Sequence, residues 1–123
     1  MTSTEACPIE RSLQNIGKKW SLNIIRDLFM GKKRFTEFLH SNKGLSTKML
    51  AARLRELEKA GLMHKQIVNK NPVTIEYSLT PRGRALNKLL YELAEFSLSD
   101  PESGQTKEAR QACLTEAREI LGI

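Results

Sequence analysis

The strongest constraint on this chain is a helical repeat that stops at one glycine and gives way to two β-rich runs. In "LSTKMLAARLRELEKAGL", residues 45–62, Leu50, Leu54 and Leu57 recur at helical spacing and form one apolar stripe, with Gly61 ending the run. Directly beyond it, "LMHKQIVN" and "VTIEYSL" are β-rich and separated by "KNP", which predicts a hairpin. Ile75, Tyr77 and Leu79 alternate with Thr74, Glu76 and Ser78, so the second strand should pack one face and wet the other.

Three shorter helices precede this unit. Pro8 suits a first helical position, and Ile9, Leu13 and Ile16 follow at helical spacing up to Gly17. "WSLNIIRDLFMG" gives a second helix with Trp20, Ile24 and Leu28 on a broad apolar face. "RFTEFLHS" gives a third, with Phe35, Phe38 and Leu39 inward. "NKG" is a turn, and Ser46 is a favourable N-cap for the fourth helix. Three helices, a tight turn, a further helix and a hairpin make a winged helix-turn-helix, a mainly α fold with a small β-hairpin.

After the hairpin, "LTPRGRAL" predicts one helix capped by Thr80, with Leu86, Leu89, Leu90, Leu93 and Phe96 making it amphipathic. "SDPESGQ" breaks it, and the tail forms a last helix with Ala109, Cys113, Ala117 and Ile120 on one stripe. Cys113 on that stripe reads as packing. Residues 1–100 are read as the winged helix-turn-helix domain with the start of a dimer interface. Residues 101–123 are read as a helical extension for dimerisation. The last two helices carry more leucine than one small core absorbs, and Ile9, Leu13 and Ile16 add to that surplus, so a homodimer is expected.

Charge narrows the partner. The 123 residues hold 20 Lys+Arg against 14 Asp+Glu, a net charge of +6, which favours a polyanion. The outer face of the fourth helix carries Lys48, Arg55 and Lys59 around the small Ala51 and Ala52, with Glu56 and Glu58 on the flanks. A helix lying in a groove about 12 Å wide needs small residues where it sits deepest. Ser46, Thr47 and Lys48 at its start can reach base edges or phosphates, and Arg55 can pair with guanine. Lys33 and Arg34 before the third helix, Lys65 on the first strand, and Lys70 and Asn71 at the wing tip complete the expected DNA-binding set. The plainer reading is a solvated helix face rich in alanine, the best helix former.

The combination of Cys-Pro-x-Glu, Gly-x-Lys-Trp, an Arg-Phe pair, Leu-x-x-Arg-Leu-x-x-Leu and Tyr-x-Leu-Thr-x-x-Gly, spread over residues 7–96, closely resembles the HxlR-type helix-turn-helix regulators. The resemblance implies a homodimer that binds double-stranded operator DNA and pairs through its first and C-terminal helices. It also implies that the recognition helix corresponds to Ser46 through Ala60. Some members sense electrophiles or oxidants through a cysteine just before the first helix, where Cys7 stands; others keep the Cys-Pro pair without that role. A helix dipole at Cys7 would favour a thiolate, and Glu10 opposes it.

Other classes find less in the residues. His40 and His64 share no spacing with a carboxylate or cysteine that makes a triad, and there is neither a phosphate loop nor a nucleophile elbow, so no enzyme is expected. Cys7, His40, His64 and Cys113 are too scattered to predict a metal site, and no cofactor is expected. A winged helix that binds only protein, and a metal- or ligand-responsive regulator without thiol sensing, remain open alternatives. No run approaches the length of a membrane span, and "MTSTEACPIE" lacks a secretory signal's basic and apolar regions, so a cytoplasmic protein without a membrane partner is expected.

Overall fold

The structure is a computed structural model that describes residues 7–123. The first six residues of the segment read for an export signal lie outside the described residues. The chain divides into two compact units, the first ending at Gly83 and the second spanning Arg84–Ile123.

The first unit follows the predicted order. α1 (Pro8–Ile16) starts on proline and ends at Gly17. Only Ile16 of its apolar set is buried, while Ile9 and Leu13 stand 58% and 50% exposed. α2 (Ser21–Phe29) buries Ile24, Ile25 and Leu28, and α3 (Phe35–Ser41) buries Phe38. α4 (Thr47–Lys59) turns Leu50, Leu54 and Leu57 into the same core. Its start is fixed as expected: the Ser46 hydroxyl accepts from the Met49 N–H at 3.1 Å, a cap worth about 1 kcal/mol. Gly44, in the turn before it, has φ +94°, where a side chain would be strained, and it lies against the Trp20 ring.

A buried carboxylate braces this turn. Asp27 is wholly buried on α2 and accepts from Arg26, from the Ser41 hydroxyl at 3.0 Å and from the Asn42 amide at 2.8 Å. The Asn42 amide also donates to the Phe38 carbonyl, and Lys32 donates to the Ser41 hydroxyl. One acid therefore ties α2 to the end of α3, where the chain leaves for α4.

The wing is an antiparallel pair, β1 (Met63–Lys70) with β2 (Val73–Leu79), bulged between Ile67 and Asn69. Its expected division into a packed and a wet face is corrected. Thr74 and Glu76 are half-buried like Ile75, Tyr77 and Leu79, and only Ser78 of the outer set is exposed. The α2–α3 connection runs beside β2, with the Tyr77 N–H donating to the Lys33 carbonyl at 2.8 Å, and so covers Glu76. Tyr77 packs edge-on to Phe38, with ring centroids 6.1 Å apart.

The helix predicted from Pro81 onward is two helices, a short α5 (Pro81–Arg84) and α6 (Asn87–Leu98). Thr80 caps α5 by accepting from the Gly83 N–H and donates to the Gly61 carbonyl at 2.6 Å. Gly83 lies so close to the Leu62 carbonyl that a Cβ there would collide with it. The Tyr-x-Leu-Thr-x-x-Gly pattern thus locks the hairpin's exit to the end of α4.

In the second unit, α6 packs on α7 (Lys107–Leu121), with a 3-10 turn at Pro101–Ser103 between them. The stripe predicted for the tail helix is corrected in its first half: Ala109 and Cys113 are exposed while Arg110 and Leu114 are half-buried, whereas Ala117 and Ile120 are half-buried as predicted and Leu121 is buried. Two polar ties set the phase of the helix, Arg110 Nη1 to the Leu98 carbonyl and Asn87 Nδ2 to the Leu121 carbonyl. Within the chain Cys113 is exposed rather than packed against α6.

Candidate nucleic-acid interface

Three acids of the first unit, Asp27, Glu37 and Glu56, are committed to structural partners, while Glu58 of α4 is exposed and forms no ion pair. Asp27 is engaged as above. Glu37 accepts from the N–H groups of Lys33 and Arg34, and these bonds, the Lys33 one foremost, hold its carboxyl below the usual carboxylate range. Glu56 takes Lys18 at 3.2 Å and Arg53 at 3.1 Å. Arg53 also donates to the Lys19 carbonyl at 2.8 Å, fastening the flank of α4 to the α1–α2 connection.

This leaves cations on the outer surface. Lys48, Arg55 and Lys59 on α4, with Lys65 and Lys70 on the wing, are exposed and form no ion pair. Thr47 is exposed beside Lys48, and Ala51 and Ala52 are half-buried, giving a low strip between Lys48 and Arg55. Asn71 sits at the hairpin tip, its N–H donating to the Asn69 side chain. Ser46 is exposed but its hydroxyl is used by the cap.

Helix and wing converge on a cleft of about 180 Å³ that brings together Arg55 and Glu58 of α4, Lys65 of β1, Tyr77 of β2 and Phe35 of α3. Burial, and then the nearby Glu58 charge, push the Tyr77 phenol above its usual range, so it stays a neutral donor. Arg55 and Lys65, 10 positions apart in the sequence, share one rim.

Lys33 and Arg34 are placed differently from the other cations of the expected set. The Glu76 carboxylate lies 3.7 Å from Lys33 Nζ and accepts from Arg34 Nε and Nη2 at 3.3 Å. In the sequence pattern Glu76 falls on the wet face of its strand. The signal for its role was an acid on a strand otherwise carrying no charge, downstream of a basic run. Asp27, also unremarked in the sequence, had a clearer one: an acid between Ile25 and Leu28 in the middle of an apolar face.

Cys7 is the half-buried N-cap of α1, its carbonyl accepting from the Arg11 N–H at 3.1 Å, and Cys113 is exposed on α7. Neither is in a disulfide. Among the described residues no three His, Cys, Asp or Glu side chains gather as a metal site, and no helix is long and apolar enough to cross a membrane.

A helix-turn-helix braced by a buried acid, followed by a two-stranded wing, defines a winged-helix DNA-binding transcriptional regulator. The family model for HxlR-like helix-turn-helix proteins matches residues 15–103, and the chain belongs to that family. The HTH-type transcriptional regulator YybR of Bacillus subtilis is 38% identical over 96 residues, covering 78% of this chain and 77% of its own. The redox regulator HypR in its oxidised form superposes with a TM-score of 0.72 at 36% identity, covering 78% of this chain and 99% of HypR. Quinone-bound YodB of B. subtilis superposes at 0.63 with 36% identity, covering 74% of this chain and 96% of YodB. These relatives are transcriptional regulators rather than enzymes.

Proposed function

We propose that this chain is a homodimeric operator-binding regulator working on chromosomal DNA in the cytoplasm. In this reading α4 reads bases in the major groove, and the wing grips the backbone. The observation that carries it is the outer face of α4: Lys48, Arg55 and Lys59 have no acid partner, while Glu56 and Glu37 are engaged elsewhere. Thr47, Lys48, Ala51, Ala52 and Arg55 are assigned to the groove, and Ser46 to positioning the helix start. Lys59, Lys65, Lys70 and Asn71 are assigned to phosphates, with Lys33 and Arg34 as a further phosphate pair. Residues 101–123 are assigned to the dimer.

Binding to a fragment from upstream of the chain's own gene should fall steeply with salt, because each phosphate neutralised releases counterions. A module that binds only protein would show no such slope. Arg55→Ala should weaken operator binding by about 1–3 kcal/mol and blur base preference. Lys70→Ala should weaken all DNA equally and flatten the salt slope by about one unit. If both variants bind like the wild type in fluorescence anisotropy, the interface lies elsewhere.

Cys7 is assigned as a thiol sensor. The support is its place at the start of α1 and the likeness to HypR, described as a redox regulator in oxidised and reduced forms, and to YodB, described in a quinone-bound form. Electrophile treatment should lower operator affinity in the wild type and in Cys113→Ser, but not in Cys7→Ser. The exposed Cys113 is the internal control for reaction without consequence. Full DNA binding after Cys7 is modified would reduce it to a helix cap.

A further inference from the structure

The pairing of Lys33 and Arg34 with Glu76 has the geometry of a loose clamp rather than a fixed support. Both Arg34 donors reach one carboxylate oxygen at 3.3 Å, and Lys33 stands 3.7 Å from the other. A tight charge-assisted bond is about 2.7–2.9 Å long, and the strong arginine–carboxylate arrangement uses two parallel bonds to two oxygens. The two cations are more than half exposed, so solvent and any incoming polyanion reach them. The carboxylate is more enclosed, at 21% exposure, and its strand is held to the same segment by the Tyr77 N–H bond to the Lys33 carbonyl. The strand that carries the acid is therefore held beside the cations whether or not they remain on it.

We infer that Glu76 is a specificity-determining residue, an internal stand-in for a DNA phosphate that holds Lys33 and Arg34 back from arbitrary DNA. The inference rests on the DNA-binding reading of α4 and the wing. Phosphate contacts supply affinity without sequence information, so two extra cations on the surface would strengthen binding everywhere. With Glu76 occupying them, a duplex gains their contact only by displacing a carboxylate. That exchange becomes favourable when α4 is fully seated and the backbone is held against the α3 start and the wing together. The operator meets that condition and random sequence does not. Glu76 thus lowers non-specific affinity more than operator affinity.

The test measures Glu76→Gln, of similar shape without the charge, by anisotropy over a salt series on random duplex and on the upstream fragment. Affinity for random duplex at low salt should rise about three- to tenfold, with a salt slope steeper by about one to two units. The preference for the upstream fragment over random duplex should shrink. Adding Lys33→Ala and Arg34→Ala to Glu76→Gln should remove most of the gain. The same two alanines with Glu76 intact should lower affinity for the upstream fragment more than affinity for random duplex, a readout that does not require the glutamine variant to fold. Two results overturn the inference: an unchanged random-duplex slope in a folded Glu76→Gln, or a loss of about two units from the alanines beside intact Glu76. A wild type with no salt-dependent DNA binding would instead overturn the underlying reading of the interface, and this inference with it.

Discussion

Asp27→Ala is expected to cost about 2–4 kcal/mol of folding stability and to lower the thermal midpoint by roughly 10 °C or more. The change removes the acceptor shared by Arg26, Ser41 and Asn42 in a site where Asp27 itself has no exposure. Arg26 is 43% exposed and can rehydrate, so its loss is the smaller share. Asn42 is buried and keeps only the Phe38 carbonyl for its amide N–H groups, its Oδ1 still accepting from Arg26, and that unmet donor with the space left behind makes most of the cost. Asp27→Asn should fall between, because an amide can accept from Ser41 but sets one N–H group against another at Asn42. The network closes on the last residues of α3, so operator affinity should drop along with stability. Urea denaturation of the three proteins measures it. An Asp27→Ala protein within 1 kcal/mol of the wild type would mean that the α2–α3 packing alone holds the turn.

The contrast between Asp27 and Ser46 explains which parts of this molecule the sequence made legible. Capping of α4 by Ser46 is a local event, decided by residues three apart, and the stripe of Leu50, Leu54 and Leu57 is a repeat within one helix. The hairpin was equally readable, because two β-rich runs and a turn are neighbours in the chain. What failed was non-local. The split between α5 and α6 leaves no mark in the periodicity, and neither does the close approach of Gly83 to the Leu62 carbonyl 21 positions away. The partnership of Arg34 with Glu76 spans 42 positions, so Lys33 and Arg34 read as available when their charge was already engaged. The first half of the α7 stripe failed for another reason. Alanine and cysteine give a weak apolar signal, and the long stem of Arg110 covers α6 while its head reaches the Leu98 carbonyl. Cys113 was assigned inward by a pattern that one arginine outweighed.

Phe96→Glu is expected to convert the protein to a monomer at micromolar concentration and to weaken operator binding at least about 100-fold. α6 uses two faces. Leu90, Ala94 and Leu98 lie on the side toward α7, with Leu98 buried. Leu89, Leu93 and Phe96 recur on another side and remain 38%, 44% and 80% exposed. A phenylalanine left so open beside two leucines is a surface that a second copy can cover, and burying one such side chain contributes about 1.5–3 kcal/mol. In a two-fold dimer the stripe appears twice, so one substitution removes that gain twice and places two carboxylates at the contact. The combined loss exceeds about 5 kcal/mol, enough to dissociate a dimer of nanomolar stability at micromolar protein. The effect on DNA follows from geometry. Two recognition helices about 34 Å apart address successive turns of one groove, and a monomer keeps only one half-site. Binding to random duplex should suffer less than binding to the operator, because each copy retains its own wing and α4 cations. Light scattering and operator titration on the same preparation distinguish the outcomes. A Phe96→Glu protein that remains dimeric and binds the operator at wild-type strength would place the interface off this face of α6.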